Sequence, residues 1–217
     1  MAEFDAVIFD MDGTLVDTER TLMEAWGLAA QDKGFIFSRE NMMKTVGTTY
    51  ADTIRIMLDA YPDAPHDEIR KLASARYQEM RKSGKVNLRP GAREALADAA
   101  GHGLLIGLCT STRRASAENT LESFGILRCF DALVCGDEVT NGKPDPEPYL
   151  LAATRLGVEP GRCLVIEDTP FGARSALSAG MTVAVVPDLI DVPEDLVGQV
   201  AVFEHITQAI SLLDACE

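Results

Sequence analysis

The chain is short of positive charge: 20 Lys and Arg stand against 34 Asp and Glu in 217 residues, a formal net charge of −14. Nucleic acid and anionic membrane surfaces call for clustered Lys and Arg, so this balance argues against both as partners. A small phosphorylated molecule remains open to it, because a few local cations and a metal are enough to hold one. Long apolar runs are missing too, and none reaches the roughly 18 residues of a membrane span. A charged segment followed by an apolar stretch of signal-peptide length is absent, so the expected location is cytoplasmic. Cysteine is sparse and unpatterned. Cys109, Cys129, Cys135, Cys163 and Cys216 are odd in number and lack a CxxC pair or a His cluster, which favours reduced thiols over a disulfide framework or a zinc site. No segment is of low complexity or repeats at a fixed period. The length suits one medium domain, or a core domain with a smaller insertion.

Against these absences stands one informative stretch, Ala6 to Thr18, AVIFDMDGTLVDT. Its opening apolar run has no alternation, which suits a strand covered on both faces of a parallel sheet. Ligands of open α/β sheets sit at the carboxyl ends of the strands, so Asp10 is delivered there, with Asp12 just beyond and Gly13 allowing a sharp bend. Two carboxylates this close repel each other unless a cation or a shared proton intervenes. An ordinary Asp/Gly turn is the plain alternative. A calcium loop of the EF-hand type is excluded, because its twelfth position requires Glu and here it is Thr21.

After Asp17 the pattern turns helical. Leu22, Met23, Trp26 and Ala30 recur at helical spacing from Thr18 to about Ala30, and helices are expected over Ser38–Thr45, Tyr50–Ala60 and His66–Lys82. This divides the chain into a core of residues 1–16 and 88–217 and a helical insertion of residues 17–87. From the turn at Pro90 and Gly91 onward, strands Leu104–Cys109, Ala132–Cys135, Cys163–Ile166 and Thr182–Val186 alternate with helices, the last near Ile206–Leu213. Alternation of this kind implies an α/β fold: a parallel five-stranded sheet with helices on both faces. The insertion would then sit above the carboxyl edge of that sheet.

The strand ends supply a coherent set: Asp10 from the first, Thr110, Ser111 and Thr112 from the second, Lys143 from the loop after the third, Glu167 and Asp168 from the fourth. Asp10, Glu167 and Asp168, with the backbone carbonyl of Asp12, are hard oxygen ligands suited to Mg2+. Thr110, amides near Ser111, and Lys143 offer donors for phosphate oxygens. Asp10 then serves as nucleophile and Asp12 as general acid and base. Taken singly, each residue has an ordinary reading as a turn, cap or surface residue.

DxDGTLVDT from Asp10 to Thr18, CTST from Cys109, GKPDP from Gly142 and IEDT from Ile166 with the FGARSALSAGM that follows resemble the four motifs of the haloacid dehalogenase superfamily. The insertion is similar to the cap of its subfamily I, in the branch of β-phosphoglucomutase and pseudouridine 5′-phosphatase. The resemblance implies a Rossmann-like core with the first strand central, Mg2+-dependent phosphotransfer through an aspartyl-phosphate on Asp10, Asp12 as acid and base, Thr110 and Lys143 on phosphate, and Asp168 on the metal with Glu167 in support. Leu22 stands where the mutase has a histidine, and Tyr50 where it has a cap arginine, so a phosphatase of a sugar phosphate or nucleoside monophosphate is expected ahead of a sugar-phosphate mutase. A phospho-accepting signalling module is the alternative outside enzymes, but a receiver of ~120 residues needs no helical roof. Glu19, Arg20, Trp26, Thr48 and Tyr50 are the candidate substrate contacts in the insertion, and a monomer is expected.

Overall fold

The computed structural model describes residues 4–48 and 50–216, side chains included except those of Tyr50 and residues 214–216. The expectation that Tyr50 touches substrate, and the free thiol expected at Cys216, therefore lie outside the described residues. β1 (Ala6–Phe9) is buried along its whole length, as its unalternating run requires. It lies inside a parallel sheet with β2 (Leu105–Cys109), β3 (Ala132–Val134), β4 (Cys163–Glu167), β5 (Thr182–Val185) and β6 (Ala201–Val202), in the order β3-β2-β1-β4-β5-β6. Phe9 is level with Leu108 and Ile166, so all three chains reach the same carboxyl edge together.

The sheet has six strands where the pattern predicts five. The additional one, β6, is two residues long and pairs parallel to β5. Two residues carry no readable periodicity, and Val202 is half exposed at the sheet margin.

Alternation along β1 divides the core. Val7 and Phe9 pack with α5 (Ala92–Gly101), α6 (Arg114–Ser123) and α9 (Ile206–Ile210), whereas Ala6 and Ile8 pack with α7 (Glu147–Leu156) and α8 (Pro170–Ser178). The last helix is shorter than expected: beyond Ile210 the chain tightens into a 3-10 turn.

Between β1 and α5 come α1 (Glu19–Asp32), α2 (Arg39–Met43), α3 (Tyr50–Ala60) and α4 (His66–Lys82). They build an apolar cluster of their own around Ala29, Met42, Met57, Ile69 and Ala73. The second helix is shorter than its expected span: Ser38 caps it rather than joining it, accepting from the Asn41 amide at 3.2 Å, and the helix ends at Met43. The chain leaves and re-enters the sheet side by side. Val16 bridges Leu88, the Asp17 amide donates to Asn87 O at 2.9 Å, and the Arg89 amide donates to Leu15 O at 2.9 Å. Asp188, just past β5, accepts from Arg20 at 2.8 Å and from Arg89 at 2.7 Å. No described helix is long and apolar enough to cross a membrane.

Candidate active site

Lys143 is delivered by the loop between β3 and α7. Its Nζ donates to Asp10 Oδ1 at 2.7 Å, Glu167 Oε1 at 2.6 Å and Cys109 O at 3.0 Å, and lies 5.0 Å above the Tyr149 ring. Burial works against the ammonium, but Asp10 and Glu167 outweigh it and hold Lys143 above the ordinary lysine range. Lys143 is therefore a fixed cation.

Glu167 is fully buried and its two oxygens are occupied. Oε1 accepts from Lys143 and from the Tyr149 hydroxyl at 2.9 Å; Oε2 accepts from the Asp168 amide at 3.0 Å, the Thr169 amide at 3.1 Å and the Thr169 hydroxyl at 3.2 Å. With its lone pairs so engaged, Glu167 positions Lys143 and the chain at Asp168.

Asp10, Glu167 and Asp168 bring carboxylate oxygens within 4.8 Å of one another. Burial first, and then Asp10 and Glu167, push Asp168 above the usual carboxylate range. Asp10 is raised by burial as well, with Lys143 pulling the other way and Glu167 and Asp12 adding to the rise. Three buried carboxyl groups thus share one ammonium. This donor set fits a hard divalent cation, and Asp10 and Asp168 are the members with oxygens left open for it. A Cβ on Gly13 would lie 2.1 Å from Asp168 Oδ2, so the bend at that glycine, with φ of +91°, is what lets the acid approach.

The Asp12 side chain stands apart from this cluster. Thr18 donates to its Oδ1 at 2.6 Å, and Thr110 and Thr112 donate to its Oδ2 at 3.1 and 2.7 Å. Three hydroxyls from two loops thereby fix the carboxyl group. Thr110, expected on phosphate, spends its hydroxyl proton on Asp12 while accepting from the Thr112 amide at 3.0 Å. Ser111 lines the space above, held close by the loop at Gly136, where a Cβ would meet Ser111 O at 2.0 Å.

Over these groups opens a cavity of about 440 Å³ whose floor is Asp10, Asp12, Lys143 and Asp168. Glu19, Trp26 and Thr48 line it. Arg20 is not brought there: it turns outward to Asp17 and Asp188. Glu19 is pushed up to about 8, by burial first and then by Asp12 and Asp188, even though the Gly47 amide donates to it.

Thr112, expected at the strand edge with Thr110 and Ser111 but given no role there, is one of the donors that hold Asp12. Two further contributors were not singled out from the sequence. Tyr149 shares the buried stripe of α7 with Ala152, Ala153 and Leu156, and a tyrosine on such a stripe needs a partner for its hydroxyl. Gly172 has no sequence signal beyond its glycine, and its role depends on how α8 meets β4.

The sequence profile described as haloacid dehalogenase-like hydrolase matches residues 7–186. A phosphorylated carbohydrates phosphatase of Thermotoga maritima is 35% identical over 82% of this chain and 82% of its own length. Fructose-1-phosphate phosphatase YqaB of Escherichia coli is 34% identical over 82% of this chain and 94% of its own. Among solved structures, CbbY of Rhodobacter sphaeroides in complex with xylulose-(1,5)bisphosphate superposes with a TM-score of 0.81 at 26% identity, covering 94% of this chain and 96% of that one.

Proposed function

The chain belongs to the haloacid dehalogenase-like hydrolase family, and from that premise we propose that it is a Mg2+-dependent phosphatase of a small phosphorylated metabolite, working through an aspartyl-phosphate on Asp10. The observation that carries the reading is the buried Lys143 ammonium joined to both Asp10 and Glu167 on the floor of a cavity roofed by α1–α4. Relatives named as phosphatases of phosphorylated carbohydrates and of fructose 1-phosphate support a sugar phosphate as the substrate class. The four described cysteines are free thiols, which fits a reducing cytoplasm.

Asp10 and Asp168, with the Asp12 carbonyl, are the residues that would hold Mg2+. When bound, the ion neutralises phosphoryl charge and polarises the phosphorus toward attack. Lys143 neutralises a further oxygen, while amides near Ser111 donate to the others. A carboxylate oxygen of Asp10 attacks phosphorus, and the bond from phosphorus to the ester oxygen breaks. Asp12 passes its proton to that departing oxygen, releasing the alcohol. The Asp12 carboxylate next takes a proton from water; the water oxygen attacks phosphorus, the Asp10–phosphorus bond breaks, and inorganic phosphate leaves. Thr18, Thr110 and Thr112 hold Asp12 in line for both transfers.

In this reading residues 1–16 and 88–217 are the catalytic core, and residues 17–87 are a cap that closes over the substrate and keeps bulk water from the intermediate. The paired crossings at Val16 and Leu88 are its hinge.

The deciding experiment is inorganic phosphate release from a panel of sugar phosphates and nucleoside monophosphates, run with Mg2+, with chelator and with Asp10→Asn. Release that needs both Mg2+ and Asp10 is expected. Isomerisation of β-glucose 1-phosphate without phosphate release would replace this reading with a mutase. A stable phospho-Asp10 without turnover would replace it with a signalling module.

A further inference from the structure

The cavity is polarised along its length. Its floor gathers Asp10, Asp12, Asp168 and Glu19, with Lys143 as the buried cation among them. Its other wall comes from α4, where Arg70, Ser74, Gln78 and Arg81 lie on a single helical stripe. The orientation of α4 is set at both ends. Near its C-terminus Arg81 donates to Asn119 O on α6 at 3.1 Å, and near its N-terminus Glu68 pairs with Lys33 at the far end of α1. Arg70 accordingly stands at the end remote from the catalytic floor, eleven residues or about 16 Å along the helix from Arg81.

The two arginines differ in their commitments. Arg81 spends its guanidinium on Asn119 and on Gln78 at 3.0 Å. Arg70 has no hydrogen bond to any described residue, and the acid beside it, Asp67, is 3.7 Å away with a side chain 90% exposed. Arg70 thus offers a planar pair of donors to the cavity. The rest of the lining mixes apolar Trp26, Met23 and Met57 with polar Thr48, Thr53, Ser74 and Gln78. A second anion placed low in the cavity would meet Asp12, so charge favours the Arg70 end.

Building on the phosphatase reading, we propose that the α4 end is a leaving-group subsite for a second oxyanion, a carboxylate or another phosphate. Arg70 holds that group at the end of the cavity away from the reacting phosphate. The preferred substrates are then extended, doubly anionic monoesters rather than bare hexose phosphates.

A molecular ruler tests this. Phosphate monoesters of straight-chain ω-hydroxy acids of increasing length are compared with methyl-terminated alkyl phosphates of equal length, reading the ratio of kcat/KM within each pair. The ratio should rise to about ten- to a hundredfold at one chain length, the range of a charge-assisted pair. Arg70→Gln should return it to unity and Arg70→Lys should keep part of it. Arg174→Gln, which breaks an exposed pair with Asp195, should leave the profile unchanged. A ratio flat at every length in the native protein, or a maximum that survives Arg70→Gln, would overturn the subsite while leaving the phosphatase intact. Calorimetric titration of the Asp10→Asn protein with the same esters, and with α,ω-alkane bisphosphates, separates carboxylate from phosphate. It also judges the subsite if no ester is turned over: equal affinity for charged and methyl-terminated members would refute it.

Discussion

Gly172 lies so close beneath Glu167 that a Cβ on it would stand 1.6 Å from Glu167 Oε1. Two effects of Gly172→Ala therefore oppose each other. Helix propensity alone would reward alanine in α8 by about 1 kcal/mol. The overlap with a buried carboxylate that cannot move without releasing Lys143 costs more, roughly 1–3 kcal/mol. We expect a lower melting temperature together with a large loss of phosphate release; a variant both more stable and fully active would disprove the contact.

Tyr149→Phe removes one of the two donors on Glu167 Oε1 while keeping the ring under Lys143. Loss of a hydrogen bond to a buried charged group is worth roughly 1–3 kcal/mol. Denaturant unfolding should show that loss, and kcat should fall several-fold as Lys143 becomes less firmly placed. Unchanged stability would mean that the hydroxyl contributes nothing there.

Much of this site could be read from the chain because parallel strands deliver whatever follows them to one edge. Asp10, Thr110 and Glu167 each come straight after an apolar run, so their neighbourhood follows from topology alone. Tyr149 and Gly172 were not legible in that way. Each reaches Glu167 from a helix packed against the sheet, and the contact depends on helix rotation and depth, which hydrophobic spacing does not encode to within a hydrogen bond. Arg20 shows the opposite error: the second residue of α1, it is close in sequence to the cavity floor, but the acid at Asp188 draws it outward. The two-residue strand β6 was too short for any period to appear.

The crowding of Asp10, Glu167 and Asp168 predicts a thermal response to metal that does not depend on turnover. Mg2+ at a hundred times its dissociation constant should stabilise the protein by about 2.7 kcal/mol, or roughly 2–4 °C per kcal/mol for a chain of this size. Chelator should reverse the shift and stop phosphate release. Asp168→Asn should lose most of the thermal shift, and a full shift in that variant would move the metal elsewhere.

Glu19 gives a pH dependence whose sign is fixed. Its carboxyl is raised from 4.5 to about 8 in the folded chain, so the stability it contributes is whole below pH 4.5 and is lost as pH rises through about 8. Glu19→Gln removes the titration. Melting temperatures of the two proteins should agree near pH 4.5, and the variant should exceed the native protein by several degrees near pH 9. Parallel curves across that window would show that Glu19 is not buried beside Asp12 as described.

The side-by-side crossings at Val16 and Leu88 have a consequence for descent. The intervening segment begins and ends at adjacent points, fastened by the Asp17–Asn87 and Leu15–Arg89 backbone bonds, and it carries its own apolar cluster. Such a loop is a cassette: it can be lengthened, repacked or exchanged over generations without disturbing the order of strands beneath it. On the proposed function, variation in what is accepted from above is thereby uncoupled from inheritance of the chemistry below, and a lineage can acquire new substrates over one unchanging floor.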